Sequence, residues 1–270
     1  MSATRIARLF ERTRAERRAA FIAYLTAGDP TPDRTPALVE AMERGGADLI
    51  ELGVPFSDPV ADGPVIQRAA MRALEAGTTL AKVLDIARSV RTRSEIPLLL
   101  FTYLNPVLRY GVERLARDAA NAGIDGCLLT DLSVEEAEHT VSVMHAAGLD
   151  TVFLAAPTST ARRLELVAKY SSGFVYLVSR TGVTGERDVL SASAAPLVAS
   201  MRKVTELPLA VGFGISTPDQ VETVAQTADG VVVGSAFVRT IEKSAGSASL
   251  EGSLEAATRE LRRGIRAKSA

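Results

Sequence analysis

Cysteine occurs once in these 270 residues, tryptophan not at all and histidine twice. A single cysteine excludes an intrachain disulfide and suits a reducing compartment, so a cytoplasmic location is expected. Cys127 sits in an apolar run and reads as a small core residue rather than a nucleophile. His139 and His145 fall on one predicted helix, six residues apart. Partners on one helical face would be three or four apart, so no histidine-based metal site is expected. Lysine is confined to Lys82, Lys169, Lys203, Lys243 and Lys268, all in helical or terminal segments. None stands at a strand end to form a Schiff base with a carbonyl substrate.

An excess of charge of one sign is missing too. The formal net charge of −1 gives no long-range pull toward nucleic acid or an anionic membrane. No apolar run approaches the roughly 20 residues that span a bilayer. The N-terminus has no apolar signal core, so export is not expected. The first strand is followed by Thr26-Ala27-Gly28-Asp29, which has one glycine and no dinucleotide fingerprint.

What is there is a rhythm. Short apolar runs at Phe21–Thr26, Leu49–Gly53, Leu98–Tyr103, Gly126–Thr130, Thr151–Ala155, Phe174–Val178, Leu209–Val211 and Gly230–Val233 alternate with helical patterns. They are continuous rather than alternating, as parallel strands covered on both faces are. Between the fourth and fifth, Val134, Ala137, Val141 and Met144 share one helical face. Ser216 and Thr217 before Pro218 mark a helix start. Eight such units favour an α/β fold, a single (β/α)8 TIM barrel over residues 1–270, without excluding an open doubly wound sheet. Thr4–Arg18 reads as an extra N-terminal helix. Ser244–Ser253 reads as a flexible connection before a last helix.

The run Glu51-Leu52-Gly53-Val54-Pro55-Phe56-Ser57-Asp58-Pro59-Val60-Ala61-Asp62-Gly63 carries three carboxylates at a strand exit and on the loop that follows. In a barrel that end holds the site, and carboxylates there suit proton transfer. The plainer alternative is that Glu51 pairs with an arginine while Asp58 and Asp62 cap turns. Glycines follow strands six, seven and eight, and Ser235 opens a helix. Uncovered N–H groups at a helix N-terminus bind phosphate, although the glycines could serve turns alone. Arg180 could add a cation, and Tyr103 or Tyr176 could assist the acid–base chemistry. Arg180–Val189 is polar, contains Gly182 and Gly185, and reads as a lid.

With this run go Tyr24-Leu25-Thr26-Ala27-Gly28-Asp29-Pro30, Ser179-Arg180-Thr181-Gly182-Val183-Thr184-Gly185 and Gly212-Phe213-Gly214-Ile215-Ser216. In their order and spacing the chain resembles the tryptophan synthase α-subunit family over nearly its full length. The resemblance implies a barrel that cleaves indole-3-glycerol phosphate to indole and glyceraldehyde 3-phosphate. It implies Glu51 as the main acid–base residue and Asp62 as the carboxylate facing the indole N–H. Gly185, Gly214, Gly234 and Ser235 match the phosphate ligands. Tyr176, Thr184, Tyr24, Phe101, Leu128, Thr130, Phe213 and Ile215 match the substrate contacts and the indole pocket. It implies no cofactor or metal in this chain. Its partner would be a β subunit carrying pyridoxal phosphate, in an αββα heterotetramer, with Pro55, Asp58 and Asn105 as candidate docking residues. Departures from the family pattern are Ala23 and Ser133 in place of proline, the larger Phe101 and Thr130 in the pocket, and the looser 244–253 stretch. Two other readings are another phosphate-binding barrel of tryptophan or histidine biosynthesis, and a non-catalytic regulatory subunit.

Overall fold

The structure, a computed structural model, describes residues 4–178, 189–212 and 214–268. Every expected strand is present. The strands are β1 (Ala20–Thr26), β2 (Leu49–Gly53), β3 (Leu98–Thr102), β4 (Gly126–Leu129), β5 (Asp150–Val152), β6 (Leu154–Ala155), β7 (Val175–Val178), β8 (Leu209–Gly212) and β9 (Gly230–Val233). All their pairings are parallel, in the order β5-β4-β3-β2-β1-β9-β8-β7-β6.

The two outer members of that order are one strand interrupted at Phe153, where a single uninterrupted run was expected. Its first half bonds to β4 and its second half to β7, while the Phe153 carbonyl accepts from the Tyr176 N–H at 3.1 Å. The chain changes partner at this point, and the change closes the sheet into a barrel of eight strand positions.

Twelve helices accompany the described strands: α1 (Arg5–Ala15), α2 (Thr35–Arg44), α3 (Pro64–Glu75), α4 (Leu80–Arg91), α5 (Leu104–Tyr110), α6 (Val112–Asn121), α7 (Glu138–Ala146), α8 (Ala161–Tyr170), α9 (Val189–Met201), α10 (Pro218–Ala225), α11 (Ser235–Ser244) and α12 (Leu250–Arg262). Their starts follow local chemistry. The Thr4 and Thr160 hydroxyls accept from the Ala7 and Arg163 N–H groups. Thr217 and Gln220 form a reciprocal capping box with Pro218 in the first turn. The connection expected over 244–253 is shorter than that, because Leu250 opens α12 and its buried side chain anchors the helix.

The continuous apolar strand runs hide a period of two. Ile22, Leu49, Leu99, Leu128, Val152, Tyr176, Ala210 and Val232 face into the barrel. Phe21, Ala23, Ile50, Leu52, Leu100, Cys127, Val211 and Val231 face out into the larger layer between sheet and helices. The interior cluster also takes in Ile6, Leu9 and Phe10 of α1, with Phe10 and Phe174 ring centroids 5.6 Å apart. Helix α1 thus plugs one end, and fully burying each such side chain contributes about 1.5–3 kcal/mol. The other end, where the strands' C-termini converge, stays open.

Candidate active site

The inward period of two carries Glu51 to the open end. In register it lies opposite Tyr24 of β1 and Leu99 of β3. Its side chain is 1% exposed, makes no ion pair among the described residues, and leaves Oε1 without a hydrogen-bond partner. No arginine among the described residues pairs with Glu51. Burial pushes its carboxyl up to about 8, with no other cause contributing.

Asp62 stands on the loop between β2 and α3. Burial pushes it up to about 6, opposed by a hydrogen bond from Tyr103. The Tyr103 oxygen also accepts from the Ala61 N–H at 3.0 Å, so one tyrosine holds both the loop backbone and its carboxylate. Thr130 stands beside Tyr103, and its hydroxyl donates to the Thr102 carbonyl at 3.3 Å. Burial raises the Tyr24 hydroxyl well above its ordinary range, and the charges of Asp62 and Glu51 push the same way. Burial, then the Glu51 charge, does the same to Tyr176.

Two glycines make room for these tyrosines. A Cβ on Gly53 would stand 2.2 Å from the Tyr24 hydroxyl, and one on Gly212 would stand 2.2 Å from the Tyr176 hydroxyl. At the strand ends, then, glycine is required by side chains that lie across the barrel mouth. Gly214, at φ +79°, occupies the left-handed region that favours glycine.

A cavity of about 580 Å³ opens here. Glu51, Asp62, Tyr24, Phe101 and Tyr176 line it, together with Gly214, Ile215, Gly234 and Ser235. Val60, Val65, Ile66, Val178, Val232 and Arg239 also line it, beside Ala61, Gly63 and Pro64, and were not expected from sequence. Val178 and Val232 occupy inward positions of β7 and β9, a signal that the period of two would have supplied. Two expected pocket residues lie elsewhere. Leu128 is fully buried in the barrel interior, where the side chains of neighbouring strands cover it, and Thr130 sits behind Tyr103. Thr184, Gly185, Phe213 and residues 180–188 of the expected lid lie outside the described residues. A smaller hollow of about 270 Å³ between α1 and the C-terminal segment holds neither carboxylate.

The Ser235 end of α11 faces this cavity with Gly234 as its cap and no capping side chain, so its first N–H groups are available to an anion. A family model described as "Tryptophan synthase alpha chain" matches residues 10–266. The chain belongs to the tryptophan synthase alpha chain family.

A relative of that name from Solibacter usitatus is 71% identical over 266 residues, covering 98% of this chain and all of the relative. Another, from Geobacter sulfurreducens, is 51% identical over 89% of this chain and 91% of its own. Among solved structures, Mycobacterium tuberculosis tryptophan synthase superposes with a TM-score of 0.90 at 39% identity, over 98% of this chain and 99% of that one. Tryptophan synthase subunit alpha from Legionella pneumophila also gives 0.90, at 36% identity over 97% and 98%. Membership of the tryptophan synthase alpha chain family makes this barrel a lyase that cleaves indole-3-glycerol phosphate in tryptophan biosynthesis.

Among the described residues no group of histidine, cysteine or carboxylate side chains is placed to hold a metal, and no helix is long and apolar enough to cross a membrane. Of the docking candidates, Asp58 and Asn105 are exposed and Pro55 is buried.

Proposed function

We propose that Glu51 and Asp62 perform the cleavage, with the substrate phosphate at Gly214, Gly234 and Ser235 and the indole ring between Tyr24, Phe101, Tyr176 and Ile215. The chemistry asks for an acid at indole C3, because protonation there makes an indolenine that accepts the electrons of the breaking C–C bond. It asks for a base at the glycerol hydroxyl, whose oxygen becomes the aldehyde of glyceraldehyde 3-phosphate. Loss of the C3 bond then restores the aromatic ring. Glu51 can donate and then accept, because its raised pKa keeps it protonated at neutral pH while leaving it within reach of both states. Asp62, ionised above about pH 6, faces N1–H and stabilises positive charge as it develops.

The observation that carries this reading is the buried Glu51, without an ion-pair partner among the described residues, sharing one cavity with Asp62. Family membership supplies the substrate, and the mouth glycines supply a place for its phosphate. Segment 180–189, Thr184 and Gly185 included, would close over the bound substrate, and Phe213 would flank the indole. No cofactor enters these steps. Indole passes to a β subunit that carries pyridoxal phosphate, in an αββα assembly in the cytoplasm. Exposed Asp58 and Asn105 lie on the face that docks it. Mixing the purified chain with indole-3-glycerol phosphate, with and without a β subunit, tests the assignment. Indole is expected in both cases and more of it with the partner. No indole in either would leave only a binding role.

A further inference from the structure

One wall residue has no role in the chemistry above. Arg239 lines the cavity with Glu51, Asp62, Gly234 and Ser235, and it is the one cationic side chain among the described lining residues. It makes no hydrogen bond or ion pair with any described residue, in contrast to the arginines around it. Arg68 and Arg72 of the neighbouring α3 are both taken by Glu242, and Arg72 is also held by buried Asp29. Glu242 stands one turn beyond Arg239 on α11, the spacing at which a helix pairs its own charges. It reaches across to α3 instead, and Arg239 is left without a partner among the described residues. Arg239 is also four residues after Ser235, so its side chain shares the helical face of the residue that opens α11 at the cavity.

We propose that Arg239 is a phosphate-recognition residue, with its guanidinium pairing a phosphate oxygen of the substrate seated at the Gly234–Ser235 end of α11. Backbone N–H groups there orient the anion, and a guanidinium matches phosphate oxygens in its planar fork. The assignment rests on the proposed substrate. It makes Arg239 a binding residue that acts on affinity rather than on proton transfer.

The test compares wild type with Arg239→Gln and Arg239→Lys. For each, KM and kcat for indole-3-glycerol phosphate are measured, with inhibition constants for glycerol 3-phosphate and for indole. A charge-assisted contact of this kind predicts that Arg239→Gln raises KM and the glycerol 3-phosphate inhibition constant together, by about 10- to 100-fold. The kcat and the indole inhibition constant should stay as in wild type, and lysine should recover much of the loss. Added salt should weaken glycerol 3-phosphate more in wild type than in Arg239→Gln. An unchanged glycerol 3-phosphate constant in Arg239→Gln would overturn the proposal. So would an equal loss for indole, which would mark a disturbed pocket. The acid–base assignment fails separately, by normal turnover in Glu51→Gln, whatever glycerol 3-phosphate does with Arg239.

Discussion

At the scale of single residues, the account turns on two carboxyl groups that burial keeps protonated to unusually high pH. Cleavage needs Glu51 with its proton and Asp62 without. The kcat/KM profile should therefore fall below about pH 6 and again above about pH 8. A profile flat from pH 5 to pH 9 would remove both groups from the chemistry. Burial also has a consequence for folding. Glu51 holds its proton to about 8 in the folded chain, against the ordinary glutamate value of 4.5. The folded state binds the extra proton between those values, so Glu51 makes stability fall as pH rises through that window. Glu51→Gln should melt above wild type at pH 9, with a gain that shrinks toward pH 5. A gain of equal size at both pH values would show that Glu51 ionises freely in the folded state. Both carboxylates were legible in the 51–63 run, because strand exit and loop are visible as patterns. The Tyr103 bond to Asp62 and the place of Arg239 in the cavity wall were not. They depend on contacts between residues far apart in sequence, which no local spacing encodes.

At the scale of elements, the strands were readable and their faces were not. Both faces of each strand are apolar, so the alternation that places Ile22, Leu49 and Leu99 inside is masked by Phe21, Ile50 and Leu100 outside. The break at Phe153 was hidden for a related reason. It arises from a change of pairing partner, and the residues themselves remain strand-like. The strand-end glycines could be read as turn formers or as anion sites. The structure adds a third reason at Gly53 and Gly212, which lie under the Tyr24 and Tyr176 hydroxyls. Gly53→Ala would drive a methyl into the Tyr24 ring and hydroxyl. It should cost about 1–3 kcal/mol of stability, as overpacking does. It should also weaken indole binding, because Tyr24 must move out of the pocket wall. Denaturant unfolding and indole inhibition check the two effects. A variant with wild-type values for both would show that the mouth is loosely packed.

At the scale of the whole molecule, the barrel separates stability from chemistry. Helix α1 and the interior cluster seal one end, and the carboxylates, tyrosines and glycines gather at the other. Asp29, fully buried, and Arg72 tie the β1 exit to α3, and Arg72 and Glu242 tie α3 to α11. The loop that carries Asp62 and the helix that opens at Ser235 are thereby held by one network. The barrel class was legible from the count and parallel character of the strands. The way the open end is assembled was not, because it joins six separate stretches of the chain, from Tyr24 to Arg239. Indole release by Glu51→Gln, measured beside substrate binding in the same preparation, separates proton transfer by Glu51 from recognition of the substrate. The account predicts binding close to wild type with cleavage lowered by at least about 100-fold, the range general acid–base catalysis supplies. Binding with a near-normal rate of indole release would contradict it.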